Sequence, residues 1–282
     1  MRHLPAGFNG LLAMLILQNI RCGLRLAIRA QFGWLAGGSL LAMLIAATLS
    51  AQFSGRQPAT TALDVGISTI RLLLPLVTVL LTQELLSREF DRRYFLSTLS
   101  YPVPRRSVVL GRFISIALLT TLLLIGTSAI LALLVWLKMQ TYTQGTQPAL
   151  GSPFLITILF IGLDLLVVIS VAVLLAVISS TPGLVLVGTL GFVMIARSFG
   201  SVIELLTRNY GIVTDAETYL FSIRLLRYLL PDLGALDIRM ITLYGRTDFL
   251  PADWPWLVLS SLTYTVGLLS LAVWALQRKR FA

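Results

Sequence analysis

The chain has 282 residues, of which 57% are hydrophobic and only 12% charged, with a mean hydropathy of +0.89. A soluble domain carries roughly 45–50% apolar and about 25% charged residues, so this composition cannot build a water-facing surface. It excludes a cytosolic enzyme, a secreted disulfide scaffold and a disordered chain, and leaves an integral membrane protein.

The net charge of +10, from 22 Lys+Arg against 12 Asp+Glu, flanks apolar runs and reads as a membrane-orientation signal; no nucleic-acid partner is expected. Cys22 and His3 are the only residues of their kinds, so one chain cannot assemble a disulfide, a Cys/His zinc site or a His-based catalytic dyad. No metal, cofactor or catalytic residue is expected.

Residues 8–30 are read as an amphipathic helix at the membrane–water interface. Gln18, Arg21, Arg25 and Arg29 share one face, opposite Ile16, Ile20 and Ala27, and suit anionic lipid headgroups. An imperfect extra span is the alternative. Leu11–Leu17 is a short apolar core, but Gln18, Asn19 and Arg21 follow it with no small-residue cleavage pattern, so it does not read as a signal peptide.

Six apolar runs follow, at about 33–53, 66–87, 108–137, 153–178, 183–206 and 255–276, each near the 20 residues that a spanning helix needs. They do not alternate as barrel strands would. The expected fold is an all-α integral membrane protein, a single transmembrane domain over 1–282. Gly33 and Gly37, and Gly183, Gly188 and Gly191, offer sites for close helix packing.

Basic residues set the orientation. Arg2, Arg21, Arg25, Arg29, Arg88, Arg92, Arg93, Arg105, Arg106, Arg112, Arg278, Lys279 and Arg280 fall on one side, against Arg56 and Lys138 beside the short loops of the other. Both termini are therefore expected to be cytoplasmic, with Trp136, Trp254 and Trp256 as outer and Trp34 and Trp274 as inner interfacial anchors.

Two connections are long. The external one, about 207–254, places Tyr219, Leu220, Ile223, Leu226 and Leu230 at helical spacing before Pro231 and Gly234 break the pattern. It reads as an amphipathic or re-entrant helix in the outer leaflet, or as a small extracytoplasmic cap.

The cytoplasmic connection, 88–107, begins as a charged helix over 84–99, with Phe90, Phe95, Leu96 and Leu99 on one side, and is stopped by Pro102 and Pro104. Ser107 is a plausible N-cap for the next span.

The run Glu89, Asp91, Leu96, Leu99, Ser100, Pro102, Val103, Arg105, Arg106, Leu110, Gly111 and Arg112 resembles the signature region of ATP-binding-cassette type-2 (ABC-2) permeases, the membrane subunits of bacterial exporters. Six spans, an interfacial N-terminal helix and a long loop before the last span are similar to that family too. The departure is at Arg93-Tyr94-Phe95, where the family commonly reads Gly-Thr-Leu.

The resemblance implies a coupling helix in which Arg88, Glu89, Asp91, Arg92, Arg93, Leu96 and Leu99, with Pro102, Arg105 and Arg106, meet a separate cytoplasmic ABC ATPase. It also implies a second permease subunit, identical or paralogous, in the bacterial cytoplasmic (inner) membrane. ATP and Mg would belong to the partner ATPase. The only lysines, Lys138 and Lys279, do not follow glycine, so a Gly-Lys-Ser/Thr phosphate loop is absent and the chain is not expected to be an enzyme itself.

Arg71, Asp164, Arg197 and Glu204 lie inside spans, where a charge costs at least about 2.5–3.5 kcal/mol on insertion scales and usually pairs. Depth along the helices pairs Asp164 with Arg197, and Arg71 with Glu204 or with Asp64 one heptad away. Such pairs serve either as a gate on the transport path or as ion pairs locking the bundle.

The main reading is the permease of an ATP-driven exporter of an unidentified, amphipathic or lipid-like substrate. The alternatives are an ion-driven secondary transporter, whose inverted repeats are not evident, and a non-transporting assembly or signalling subunit of an ABC complex. A polytopic enzyme lacks a motif to support it.

Overall fold

The computed structural model describes residues 17–27, 32–87, 105–141, 145–179, 181–208 and 231–278. Among these there is no strand. A short helix over 17–27 (α1) precedes α2 (Phe32–Phe53), α3 (Pro58–Thr82), α4 (Arg105–Thr141), α5 (Ser152–Ile178), α6 (Pro182–Arg208), the one-and-a-half-turn α7 (Arg239–Tyr244) and α8 (Trp254–Arg278). Six of these helices are long and apolar enough to cross a membrane. The protein is an all-α, multi-pass membrane protein.

Proline marks the helix starts. Pro58 in α3 and Pro153 in α5 occupy the first turn, where the missing N–H is no loss and the fixed φ is already helical. α3 thus begins eight residues before the apolar run at 66. Hydropathy hides those two turns because Thr60, Thr61 and Asp64 dilute Ala59, Ala62 and Leu63, which are fully buried. Ser107 is not an N-cap: α4 starts at Arg105, and Ser107 is buried in its first turn, where its carbonyl accepts from Asn19 Nδ2 at 3.4 Å.

α3 and α5 form the centre of the bundle, each with 61% of its most apolar stretch buried, against 17% for α2 and α8. α2 packs on α3, α8 on α5, α4 lies across both, and α6 packs on α5 and α3. Lipid is as apolar as leucine, so helix association here rests on close packing and polar contacts rather than on exclusion of water. The outer helices accordingly present bare Leu41, Ile45, Val187, Met194, Val266 and Leu271. Trp34 and Trp274 are exposed at one end of the bundle and Trp136, Trp254 and Trp256 at the other.

α1 lies at the first of these ends. Its small face, Gly23 and Ala27, is buried and Ser115 of α4 donates to the Ile20 carbonyl at 3.2 Å, while Arg21 and Arg25 are exposed. The end of α3 nearby is a π-helical turn, Gln83–Ser87, packed on α5 and α6.

At the opposite, cap end, the chain returns through 231–253. Part of the region read as 207–254 is therefore not a loose loop: Leu233, Leu236, Ile238 and Ile241 are buried between α3, α5 and α6 with Phe160, Val167 and Ala196. Thr157 and Thr242 hydroxyls meet at 2.6 Å, which fixes α7 on the first turns of α5.

Gly66 on α3 faces Leu131 of α4 so closely that a methyl group would overlap the buried isobutyl side chain. Gly66→Ala should lower stability by about 1–3 kcal/mol, the usual range for overpacking, read as a lower melting temperature in detergent. Leu131→Ala in the same chain should recover part of the loss; additive losses would mean that the two residues do not share this contact.

Candidate functional site

The polar residues of the bundle converge on one place, about 18 Å along α5 from Ser152 at about 1.5 Å per residue, where Asp164 is 1% exposed. A bare carboxylate there would be intolerable. Asp164 Oδ2 lies 2.5 Å from Arg197 Nη2 of α6 and 3.8 Å from Arg71 Nη2 of α3, so a single buried oxygen serves two guanidinium groups.

The charges continue toward the cap end in strict alternation. Arg71 Nη1 is 2.5 Å from Asp237 Oδ2, Asp237 Oδ2 is 3.6 Å from Arg239 Nε, and Arg239 Nη1 is 3.1 Å from Asp64 Oδ1. Arg239 also donates to Ser68 Oγ. The result is a ladder, Asp64–Arg239–Asp237–Arg71–Asp164–Arg197, with as many acids as bases and drawn from α3, α5, α6 and the returning segment.

Pro75 explains one of its bonds. Proline has no N–H to give to the carbonyl four residues back, which here belongs to Arg71. Arg197 Nη1 supplies the missing donor at 2.9 Å. The helix defect and the ion pair are thus one arrangement, with Arg197 capping an interior carbonyl while its other nitrogen holds Asp164.

The returning segment is fastened to the same groups. Arg71 Nη2 donates to the Leu233 carbonyl at 3.2 Å. Gly234 lies against α6 so tightly that a Cβ would fall 2.6 Å from the Arg197 carbonyl oxygen, and Gly200 likewise leaves only 2.6 Å to Asp232 Oδ2. Two glycines therefore permit the backbone and the Asp232 carboxylate to seat on α6. Between them opens a cavity of about 560 Å³ with Arg71, Arg197, Arg239, Asp232 and Asp237 on its walls. Among the described residues, no group of three His, Cys, Asp or Glu could hold a metal ion.

Of the residues singled out from sequence, Asp164 and Arg197 are in contact. Arg71 is held by Asp237 and by Asp164, and Asp64 by Arg239 rather than by Arg71. Glu204 is on α6, but its side chain lies outside the described residues, as do Arg88, Glu89, Asp91, Arg92, Arg93, Leu96, Leu99 and Pro102. Arg105 opens α4 and Arg106 is exposed beside it. Sequence reasoning missed Asp237 and Arg239. The signal available was Asp232, Asp237 and Arg239 gathered just beyond the break at Pro231 and Gly234.

The family described as ABC-2 family transporter protein matches residues 28–198, more than half of the chain. The match takes in Arg71, Asp164 and Arg197 and stops short of Asp237 and Arg239. No curated protein matches the chain.

Because Asp164 serves two arginines, its removal should cost more than removal of Arg197. Asp164→Ala takes from Arg197 its carboxylate and leaves Arg71 with Asp237 alone, and should destabilise by about 3–5 kcal/mol, whereas Arg197→Ala leaves Asp164 with Arg71 and should cost less. The exchange Asp164→Arg with Arg197→Asp should restore stability only in part, since Arg71 then faces a new arginine. Melting temperatures in detergent give the order; a full rescue would contradict the shared carboxylate.

Proposed function

This chain belongs to the ABC-2 transporter family, and on that premise we propose that it is the permease subunit of an ATP-driven exporter in the bacterial cytoplasmic membrane, with both termini cytoplasmic. ATP and Mg bind to a separate cytoplasmic ABC ATPase, and this chain performs no hydrolysis: neither of its lysines stands in a Gly-Lys-Ser/Thr phosphate loop. A second permease subunit, identical or paralogous, completes the path. Gly33, Gly37, Gly183 and Gly191, where an added methyl group would meet nothing within 4 Å across to the other described residues, leave room for its close approach.

One observation carries the coupling part of this reading. α3 and its π-helical turn form a continuous rod from the start of the 88–107 connection to the charge ladder, with Gln83 and Arg71 about 18 Å apart along it at about 1.5 Å per residue. The turn is attached to α6 as well, since Gln83 Nε2 donates to the Pro182 carbonyl at 2.5 Å. π-turns within helices often mark functional sites. A push by the ATPase on Arg88, Arg92 and Arg93 would move α3 and the start of α6 together, and each of these helices carries an arginine to Asp164.

In that cycle nucleotide binding must favour one conformation of the bundle over the other, and a shift from 1:99 to 99:1 requires about 5.5 kcal/mol of differential affinity. The ladder is the part of the bundle that can change partners without exposing a bare charge, because each of its guanidiniums already has two acceptors within reach. The exposed Arg21 and Arg25 of α1 face anionic lipid headgroups at the cytoplasmic surface.

Affinity purification of the tagged chain from its native host should bring down an ABC ATPase. Arg92→Glu with Arg93→Glu should lose most of that ATPase, while Gln83→Ala should retain it and lower export in vesicles several-fold. Recovery of the chain without any ATPase would sink the reading.

A further inference from the structure

The charge ladder is balanced within itself: Asp64, Asp164 and Asp237 answer Arg71, Arg197 and Arg239. Asp232 is left over. Its Oδ1 accepts from the Ala235 N–H at 3.0 Å, which shapes the turn, and among the described residues it has no cationic partner. Oδ2 lies over Gly200, one turn of α6 from Arg197, on the wall of the cavity.

Asp232 is half-buried on the wall of the cavity, one turn of α6 beyond Arg197, and its carboxylate has room there to take a cation. The same cavity offers donors. The Arg197 side chain is 23% exposed and that of Arg239 34%, and both line the cavity with more guanidinium hydrogens than their ion pairs use. A bare cation would be repelled by these arginines, and a bare anion by Asp232. A group carrying both charges satisfies all three.

We propose that this cavity binds a zwitterionic ammonium–phosphate group, with the ammonium on Asp232 and the phosphate oxygens on Arg197 and Arg239. Arginine's planar fork suits phosphate, and charge-assisted bonds of this kind are the stronger ones. The group is carried either by a membrane lipid of the ethanolamine type or by a small soluble zwitterion. The lipid source fits a cavity set among spanning helices whose outer faces, such as Val187, Met194, Ile195 and Val202 of α6, are apolar. As an assignment of cargo this rests on the export reading above; as a binding site it does not, and it is measured without the ATPase.

The test is a titration of the purified full chain in detergent with dihexanoyl phosphatidylethanolamine, followed by the rise in melting temperature. Dihexanoyl phosphatidylglycerol, with the same chains and phosphate but no amine, is the matched control on the natural protein and needs no variant to fold. The ethanolamine lipid should bind and the glycerol lipid should bind at least about tenfold more weakly, the scale of one hydrogen-bonded charge pair.

Asp232→Asn, which keeps an oxygen for the Ala235 N–H, should weaken the ethanolamine lipid by a similar factor and, by removing the repulsion, strengthen the glycerol lipid. Competition by free O-phosphoethanolamine would assign the site to the headgroup alone, and lack of competition would assign it to a lipid; either supports the ammonium–phosphate chemistry. Equal affinity for the two lipids, or an Asp232→Asn variant that binds as the natural chain does, would overturn the proposal. Loss of ATPase co-purification with this binding intact would overturn the exporter reading and spare the site.

Discussion

A carboxylate buried in the middle of a helical bundle has to be neutralised where it stands, and Asp164 is the residue that imposes this on the fold. Its single shared oxygen draws Arg71 from α3 and Arg197 from α6 to one point on α5. Arg71 then has guanidinium nitrogens to spare, and these reach the Leu233 carbonyl and Asp237. The returning segment is thereby fixed to three spanning helices. Hydrophobic burial cannot do this in lipid, where an apolar side chain gains little by leaving the acyl phase. Directional polar contacts can, and the apolar cluster around Leu233 and Ile241 fits around them.

The sequence and the structure agree where the physics is one-dimensional. Apolar runs long enough to span give the helices, and comparison of depths along two such runs is enough to bring Asp164 to Arg197. The same arithmetic gave Arg71 to Glu204 or Asp64 because it compared spans only with spans or with themselves. Asp237 comes from a segment that re-enters after Pro231, and no periodicity reports the depth to which an irregular stretch descends. The early start of α3 was hidden for a related reason. Hydropathy averages Thr60, Thr61 and Asp64 with their neighbours, whereas burial is decided side by side, and Ala59, Ala62 and Leu63 face α2 regardless.

Pro75 was legible and its meaning was not. A proline inside a spanning run predicts a free carbonyl four residues earlier, so the sequence already states that the Arg71 backbone needs a donor. Which residue gives it depends on the rotation of α6 about its own axis, and that is set by the packing of its Val193 and Ala196 against Val79 of α3 and Phe160 and Val168 of α5. The defect and its remedy also connect two properties of α3. The proline allows the helix to bend, and the guanidinium that caps the bend belongs to the ion ladder, so bending of α3 and the state of the ladder cannot change independently.

That dependence decides how a force at one end of this bundle would be felt at the other. A straight helix in lipid can slide or tilt as a rigid body and transmit little selectivity. Here α3 is held at its π-helical turn through Gln83 to the first turn of α6 and at its centre through Arg71 to Asp164 and to the Arg197 of that same helix. Two attachments to one partner about 18 Å apart at about 1.5 Å per residue would convert displacement of the turn into relative rotation of α3 and α6. Arg197 stands on the wall of the cavity, between the Arg71 carbonyl that it caps and the side on which Asp232 lies, so such a rotation would change the lining. The polar lining of the cavity and the mechanical continuity of α3 are therefore consequences of the same few residues, and a group held by that lining would sense, and bias, the position of the turn.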